Sequence, residues 1–94
     1  MDITDLIWLD EVVDKIESKH HVRQTEVEDV LGGSPKFRKM LNGRFHGEHI
    51  YRALGQTTGG RYLAVFFIYK QTSQALILSA RDMDAKERRS YGKK

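Results

Sequence analysis

Cysteine is absent from the 94 residues, which excludes disulfides and thiolate metal sites and fits a reducing compartment. Long hydrophobic runs are absent too. The longest apolar stretch, Tyr62 to Tyr69, is far shorter than the roughly 20 residues a membrane-crossing helix needs. The first residues, Met1-Asp-Ile-Thr-Asp5, are acidic and lack the basic start of a signal peptide. Repeats, low-complexity tracts and linkers are missing as well. His21, His46 and His49 make no helical i, i+4 pair, so neither a metal nor any other cofactor is expected. These absences lead to the expectation of a soluble, cytoplasmic protein with a single domain over 1–94 and one modest core.

What is present is an ordinary globular composition, 39% apolar and 31% charged, with the charge unevenly divided. Residues 1–31 hold nine acids against three bases, a net of −6. Residues 32–94 hold thirteen bases against four acids, a net of +9. The basic excess coincides with the segments that read as strands and not with a flexible tail, which points that half of the chain toward a polyanion.

Asp5-Leu-Ile-Trp8 suits a first or edge strand. Val12, Val13 and Ile16 recur at helical spacing and predict a helix over about 10–19. Thr25-Glu-Val-Glu28 has the form of a capping box for a second helix, with Val27, Val30 and Leu31 on its buried face and Gly32-Gly33 at its end. Further strands are expected at Lys36–Leu41, Ile50–Gln56, Arg61–Tyr69 and Ala75–Arg81, with turns at Asn42-Gly43, Thr57–Gly60 and Gln71–Gln74. Asp84 and Glu87 cap a last, basic helix that ends near Tyr91. The order β-α-α-β-β-β-β-α predicts an α+β domain with helices packed on a small, mostly antiparallel sheet.

Arginines stand at strand ends, and their faces follow from hairpin arithmetic. A loop of Thr57–Gly60 sets Gln56 opposite Arg61 and Arg52 opposite Val65, so that Arg52 and Arg61 share a face. A three- or five-residue loop centred on Thr72 sets Leu63 opposite Arg81. Arg61 and Arg81 are then diagonal neighbours on one face, roughly 7–8 Å apart. A two- or four-residue loop would separate them. The absence of glycine from Gln71–Gln74 disfavours the tight turn. Two guanidinium forks on one face suit phosphate, with Asp82 and Asp84 as alternative partners for Arg81.

Four stretches in order resemble the BrnT family, the toxin half of BrnT/BrnA toxin–antitoxin modules. They are Trp8 with Lys19-His20 and Val22; Glu26-Val-Glu-Asp-Val30; Tyr51-Arg-Ala-Leu-Gly-Gln-Thr57 with Gly60-Arg-Tyr-Leu63; and Ser79-Ala-Arg-Asp-Met83 with Glu87-Arg88 and Tyr91. The segment near 34–47 matches least. The resemblance implies a fold similar to that of RelE-type ribonucleases and a metal-independent endoribonuclease, a hydrolase that cleaves RNA and inhibits translation. A ribbon-helix-helix (BrnA-like) antitoxin is the implied partner, with a toxin homodimer inside the complex. Two departures stand out. Leu76 replaces a basic residue that many relatives carry, and His21 stands where many have glycine.

The implied chemistry is attack of the RNA 2′-hydroxyl on the adjacent phosphorus. It needs a base, cations for the crowded phosphorane, and an acid for the leaving oxygen. Arg61 and Arg81 suit the cationic task. His20 is the candidate for proton transfer, because an imidazole can give or take a proton near neutrality, although a histidine at a helix end can also serve the last carbonyls. Lys19 and Tyr91 are candidates to bind phosphate or share the proton work, and Arg52, Arg88 and Arg89 are candidates to grip RNA. Two other classes remain open: a non-catalytic nucleic-acid-binding module using the same basic face, and a co-repressor whose surface meets the antitoxin.

Overall fold

A computed structural model of the chain describes residues 1–42 and 48–93. The elements are β1 (Asp5–Ile7), α1 (Asp10–His20), α2 (Gln24–Gly32), β2 (Lys36–Asn42), β3 (His49–Gln56), β4 (Tyr62–Tyr69), β5 (Gln74–Asp82) and α3 (Ala85–Gly92). Their order is the one expected from the sequence. Of the expected Asn42-Gly43 turn, Asn42 is the last residue of β2 and Gly43 lies outside the described residues. The strands form one sheet in the order β1-β5-β4-β3-β2, antiparallel except for the short β1, which runs parallel to β5. No described helix is long and apolar enough to cross a membrane.

The near-continuous apolar run of β4 is explained by its central place, covered on both sides. On one face Leu63, Val65 and Phe67 join Ala53, Ile77 and Ala80 beneath Val12 and Ile16 of α1 and Val27 and Val30 of α2. α2 comes so close to β3 that a Cβ on Gly55 would stand 2.9 Å from Val30 Cγ1, so only glycine fits there. The other face carries Leu54, Ala64 and Phe66 together with Lys36, Arg38, Arg52, Tyr62 and Arg81, as the strand registers require. α3 lies against this second face.

Two features overturn the expected register. In the β3–β4 hairpin Gly60 has a φ of +94°, and Thr57 N–H donates to the Arg61 carbonyl at 2.8 Å. The last strand pair is therefore Gln56 with Tyr62, and Arg52 faces Phe66, not Val65. In the β4–β5 hairpin the turn is centred on Thr72 as expected, with Ser73 at a φ of +67°. A bulge then intervenes: Phe66 pairs with Ser79 but Phe67 with Ile77, leaving Leu78 as the extra residue. Leu63 therefore faces Asp82, and Arg81 faces Ala64. Each one-residue shift exchanges the faces. Arg61 shares a face with neither Arg52 nor Arg81, whereas Arg52 and Arg81 lie together on the α3 side.

The second helix also starts earlier than expected. Its N-cap is Arg23, and Glu26, not Glu28, reaches back to the Arg23 N–H at 3.0 Å. Thr25 therefore lies inside the first turn rather than at its cap. α1 ends as His21 takes a left-handed φ of +55° and Val22 N–H donates to the Ile16 carbonyl.

Candidate nucleic-acid interface

The residues singled out in the sequence fall into two groups on opposite sides of the sheet. The first surrounds Arg61. Its Nε donates to Asp82 Oδ1 at 2.7 Å and its Nη2 to Asp82 Oδ2 at 3.2 Å. Nη2 also donates to the His20 carbonyl at 3.0 Å, and Nη1 to the His21 carbonyl at 2.6 Å and to Glu26 Oε1 at 3.2 Å. All five N–H groups of the fork are thus engaged. Arg61 joins the ends of α1 and β5 to the start of α2, and its positive charge sits where the α1 dipole is negative. The hydrogen bond from Arg61 is the main cause holding the Asp82 carboxyl below its ordinary pKa, and the same contact raises that of Arg61. His20 belongs to this group through its carbonyl, and Lys19 is exposed in the last turn of α1.

The second group lies between the sheet and α3. A cleft of about 550 Å³ is lined by Arg38, Arg52, Lys86, Arg89 and Lys93, with Met40, Ser90 and only two acids, Asp84 and Glu87. A hollow of similar size, about 570 Å³, lies between α1 and α2 but mixes Glu17 with His21 and Arg23 and has no basic excess comparable to that of the cleft.

Glu87 organises the basic cleft. It is 5% exposed, although its helix is otherwise hydrophilic. Its Oε1 accepts the Asp84 N–H at 2.9 Å while Asp84 Oδ1 accepts the Glu87 N–H at 2.7 Å, which completes the expected capping box. The same carboxylate takes a bidentate contact from Arg81, at 2.7 and 3.0 Å. This contact is the main cause of the raised Arg81 pKa. Arg52 Nη1 stands 3.6 Å from Glu87 Oε2, an ion pair too long to be a hydrogen bond. Arg81 also lies over the Phe66 ring, 5.2 Å from its centroid.

Aromatic and cationic groups continue this surface. The Arg88 guanidinium sits 3.8 Å from the Tyr62 ring centroid, and Tyr91 meets Tyr62 edge-on at 6.0 Å. Lys36 Nζ lies 5.6 Å from the Tyr91 centroid and donates to the Lys93 carbonyl at the end of α3. Interleaved cations and aromatic rings are the ingredients of a single-stranded nucleic-acid surface.

The structure therefore brings Arg52, Arg81, Arg88, Arg89 and Tyr91 to the α3 side and leaves Arg61, His20 and Lys19 with α1. Sequence reasoning missed Glu87 as the partner of Arg81, taking it only as a cap, and missed Arg38 altogether. Register was the signal for Arg38, since it stands directly opposite Arg52. Among the described residues no group of three or more His, Asp or Glu side chains could hold a metal ion. No protein-family model matches this sequence, and no curated protein matches it.

Proposed function

We propose that this chain is a BrnT-like toxin that binds RNA in the cleft beneath α3 and cleaves it there without a metal. The observation that carries the reading is the convergence of Arg52 and Arg81 on the buried Glu87, in a cleft otherwise lined mainly by bases. In this reading Arg81 and Arg52 neutralise the phosphorane formed by 2′-hydroxyl attack, Tyr91 carries a proton on this face, and Arg88 and Arg89 hold the strand. Further support comes from position 21. There many BrnT relatives carry glycine, and His21 takes the left-handed conformation that favours glycine. A RelE-like fold, translation inhibition, a cytoplasmic location, a ribbon-helix-helix antitoxin and a homodimer within the toxin–antitoxin complex belong to the same proposal.

The engagement of Arg61 and the distance of His20 from the α3 face favour a second reading, a non-catalytic nucleic-acid binder that uses the same cleft. One experiment separates them. Purified protein is incubated with RNA in EDTA beside Arg81→Ala, Arg52→Ala and Tyr91→Phe variants. The toxin reading expects cleavage by the wild type and a loss on the order of 10²–10³ in rate for Arg81→Ala. RNA left intact by folded wild type, with binding that weakens steeply as salt rises, would replace the enzyme by the binder.

A further inference from the structure

We propose that Arg38 and Arg52 form a seat for one phosphate group beside the Arg81–Glu87 pair. The proposal deepens the RNA reading, and rests on it only in taking that phosphate to be a backbone diester.

The register places Arg38 directly across from Arg52 on neighbouring antiparallel strands, with both on the α3 side. Directly opposed residues have Cβ atoms about 4.5–5.5 Å apart, and like charges in that relation destabilise a sheet unless something answers them. The acids of the cleft answer them only in part. Asp84 accepts the Glu87 N–H, and Glu87 accepts the Asp84 N–H while holding Arg81 in a bidentate contact. What remains for Arg52 is one contact of 3.6 Å.

The Arg52 side chain is only 13% exposed, and its Nε is buried with no hydrogen-bond partner among the described residues. A buried N–H of a charged group without an acceptor costs free energy that an arriving oxyanion would recover. Arg38 is exposed at the mouth of the cleft, and no ion pair to it is found among the described residues. Two forks, one inner and one outer, match a tetrahedral anion that presents oxygens to each. Lys86, Arg89 and Lys93 raise the local potential without making the seat, since each is exposed on or just after α3. The opposed arginines therefore keep donors, Arg52 Nε and the Arg38 fork, that an oxyanion can meet and the acids of the cleft leave unanswered.

The test uses the whole chain and inorganic phosphate as the probe. Phosphate is titrated at constant ionic strength against chloride, following the arginine Nε–H signals by two-dimensional NMR. Wild type should show a saturable shift of the Arg52 Nε–H signal that chloride does not produce. Arg38→Gln, at an exposed position, should keep the folded amide pattern and weaken phosphate by about tenfold or more, as loss of a charged contact implies. Lys70→Gln, whose partner Glu48 lies outside the cleft, should bind phosphate as the wild type does. Absence of a saturable shift, or equal phosphate binding by Arg38→Gln, overturns the seat.

A labelled oligoribonucleotide then tests the link to RNA. Arg38→Gln should weaken it and lower the salt slope by about one. Phosphate binding without RNA binding would keep the seat and sink the RNA reading. Undiminished RNA binding by Arg38→Gln would keep RNA and remove the seat from its path.

Discussion

Arg61 and Asp82 meet fork to fork, Nε on Oδ1 at 2.7 Å and Nη2 on Oδ2 at 3.2 Å. The remaining donors of Arg61 hold the carbonyls of His20 and His21 and the carboxylate of Glu26. Arg61→Ala is expected to lower stability by about 2 kcal/mol, since charged hydrogen bonds are lost and two helix-end carbonyls lose their donor. For a domain of this size that is roughly 8–16 °C in Tm. Arg61→Lys keeps the charge without the fork and should recover less than half. Urea unfolding of the three proteins checks this, and equal midpoints would remove the clasp as a source of stability.

Acid should act through Asp82. Its carboxyl is held below the ordinary value chiefly by the Arg61 hydrogen bond, so the native state binds this proton less readily than the unfolded chain. The stabilisation is complete above the unfolded pKa of about 4 and is lost as pH falls from there toward the folded value. Asp82→Asn should therefore be less stable than wild type at neutral pH. The gap should close as the pH is lowered below about 4. Midpoints at neutral pH and at pH values spanning the acid range provide the comparison. A gap that stays constant throughout would mean that Asp82 acts other than through its charge.

Glu87 fastens α3 to the sheet. Removing one partner of a buried ion pair typically costs about 3–5 kcal/mol, because the other partner keeps an unanswered charge. In Glu87→Ala the buried Arg52 is left in that position, the half-exposed Arg81 is left so only in part, and the last helix also loses half of its capping box. The expected outcome is release of α3 with retention of the sheet. Rapid tryptic cleavage after Lys86, Arg88 or Arg89 should reveal it, while the amides of β4 stay protected from hydrogen exchange. Wild-type resistance in the variant would show that the aromatic contacts of Tyr62 and Tyr91 suffice to hold the helix.

Among the described residues three backbone positions have positive φ, and only one of these is glycine: His21 at +55°, Ser73 at +67° and Gly60 at +94°. Ser73→Gly is expected to stabilise by about 0.5 kcal/mol, the relief of left-handed strain exceeding the added freedom of the unfolded chain. His21→Gly should behave alike, since its contact with Arg61 is made through the backbone. Gly60→Ala should destabilise by about 1–2 kcal/mol. Thermal unfolding of the three variants gives the signs directly. A loss of stability in Ser73→Gly would mean that the Ser73 side chain contributes something its backbone geometry does not reveal.

The element order was legible because helical spacing in Val12, Val13 and Ile16, the apolar run of β4 and the cap at Asp84 are local signals. The positions of the β3–β4 and β4–β5 turns were legible for the same reason, down to the centring of the last hairpin on Thr72. Faces were not. They depend on the parity of residues between two points, and the bulge at Leu78 and the bend at Gly60 each change that parity by one. The loop glycines announced a turn but not its length, and nothing local distinguishes Leu78 from its apolar neighbours. Arg81 and Glu87 were both noticed, yet their union was missed because Asp82 and Asp84 are nearer in sequence.

The clasp at Arg61 also has a place in time. Its contacts come from residues 20, 21, 26, 61 and 82, and β1 pairs with β5 across nearly seventy positions of chain. Neither closure is complete until the last strand has docked, so the loop entropy of almost the whole molecule is met before the full set of contacts rewards it. Locking of the α1 end thus belongs to the late side of the folding barrier. Weakening it should hasten unfolding and leave the folding rate nearly untouched.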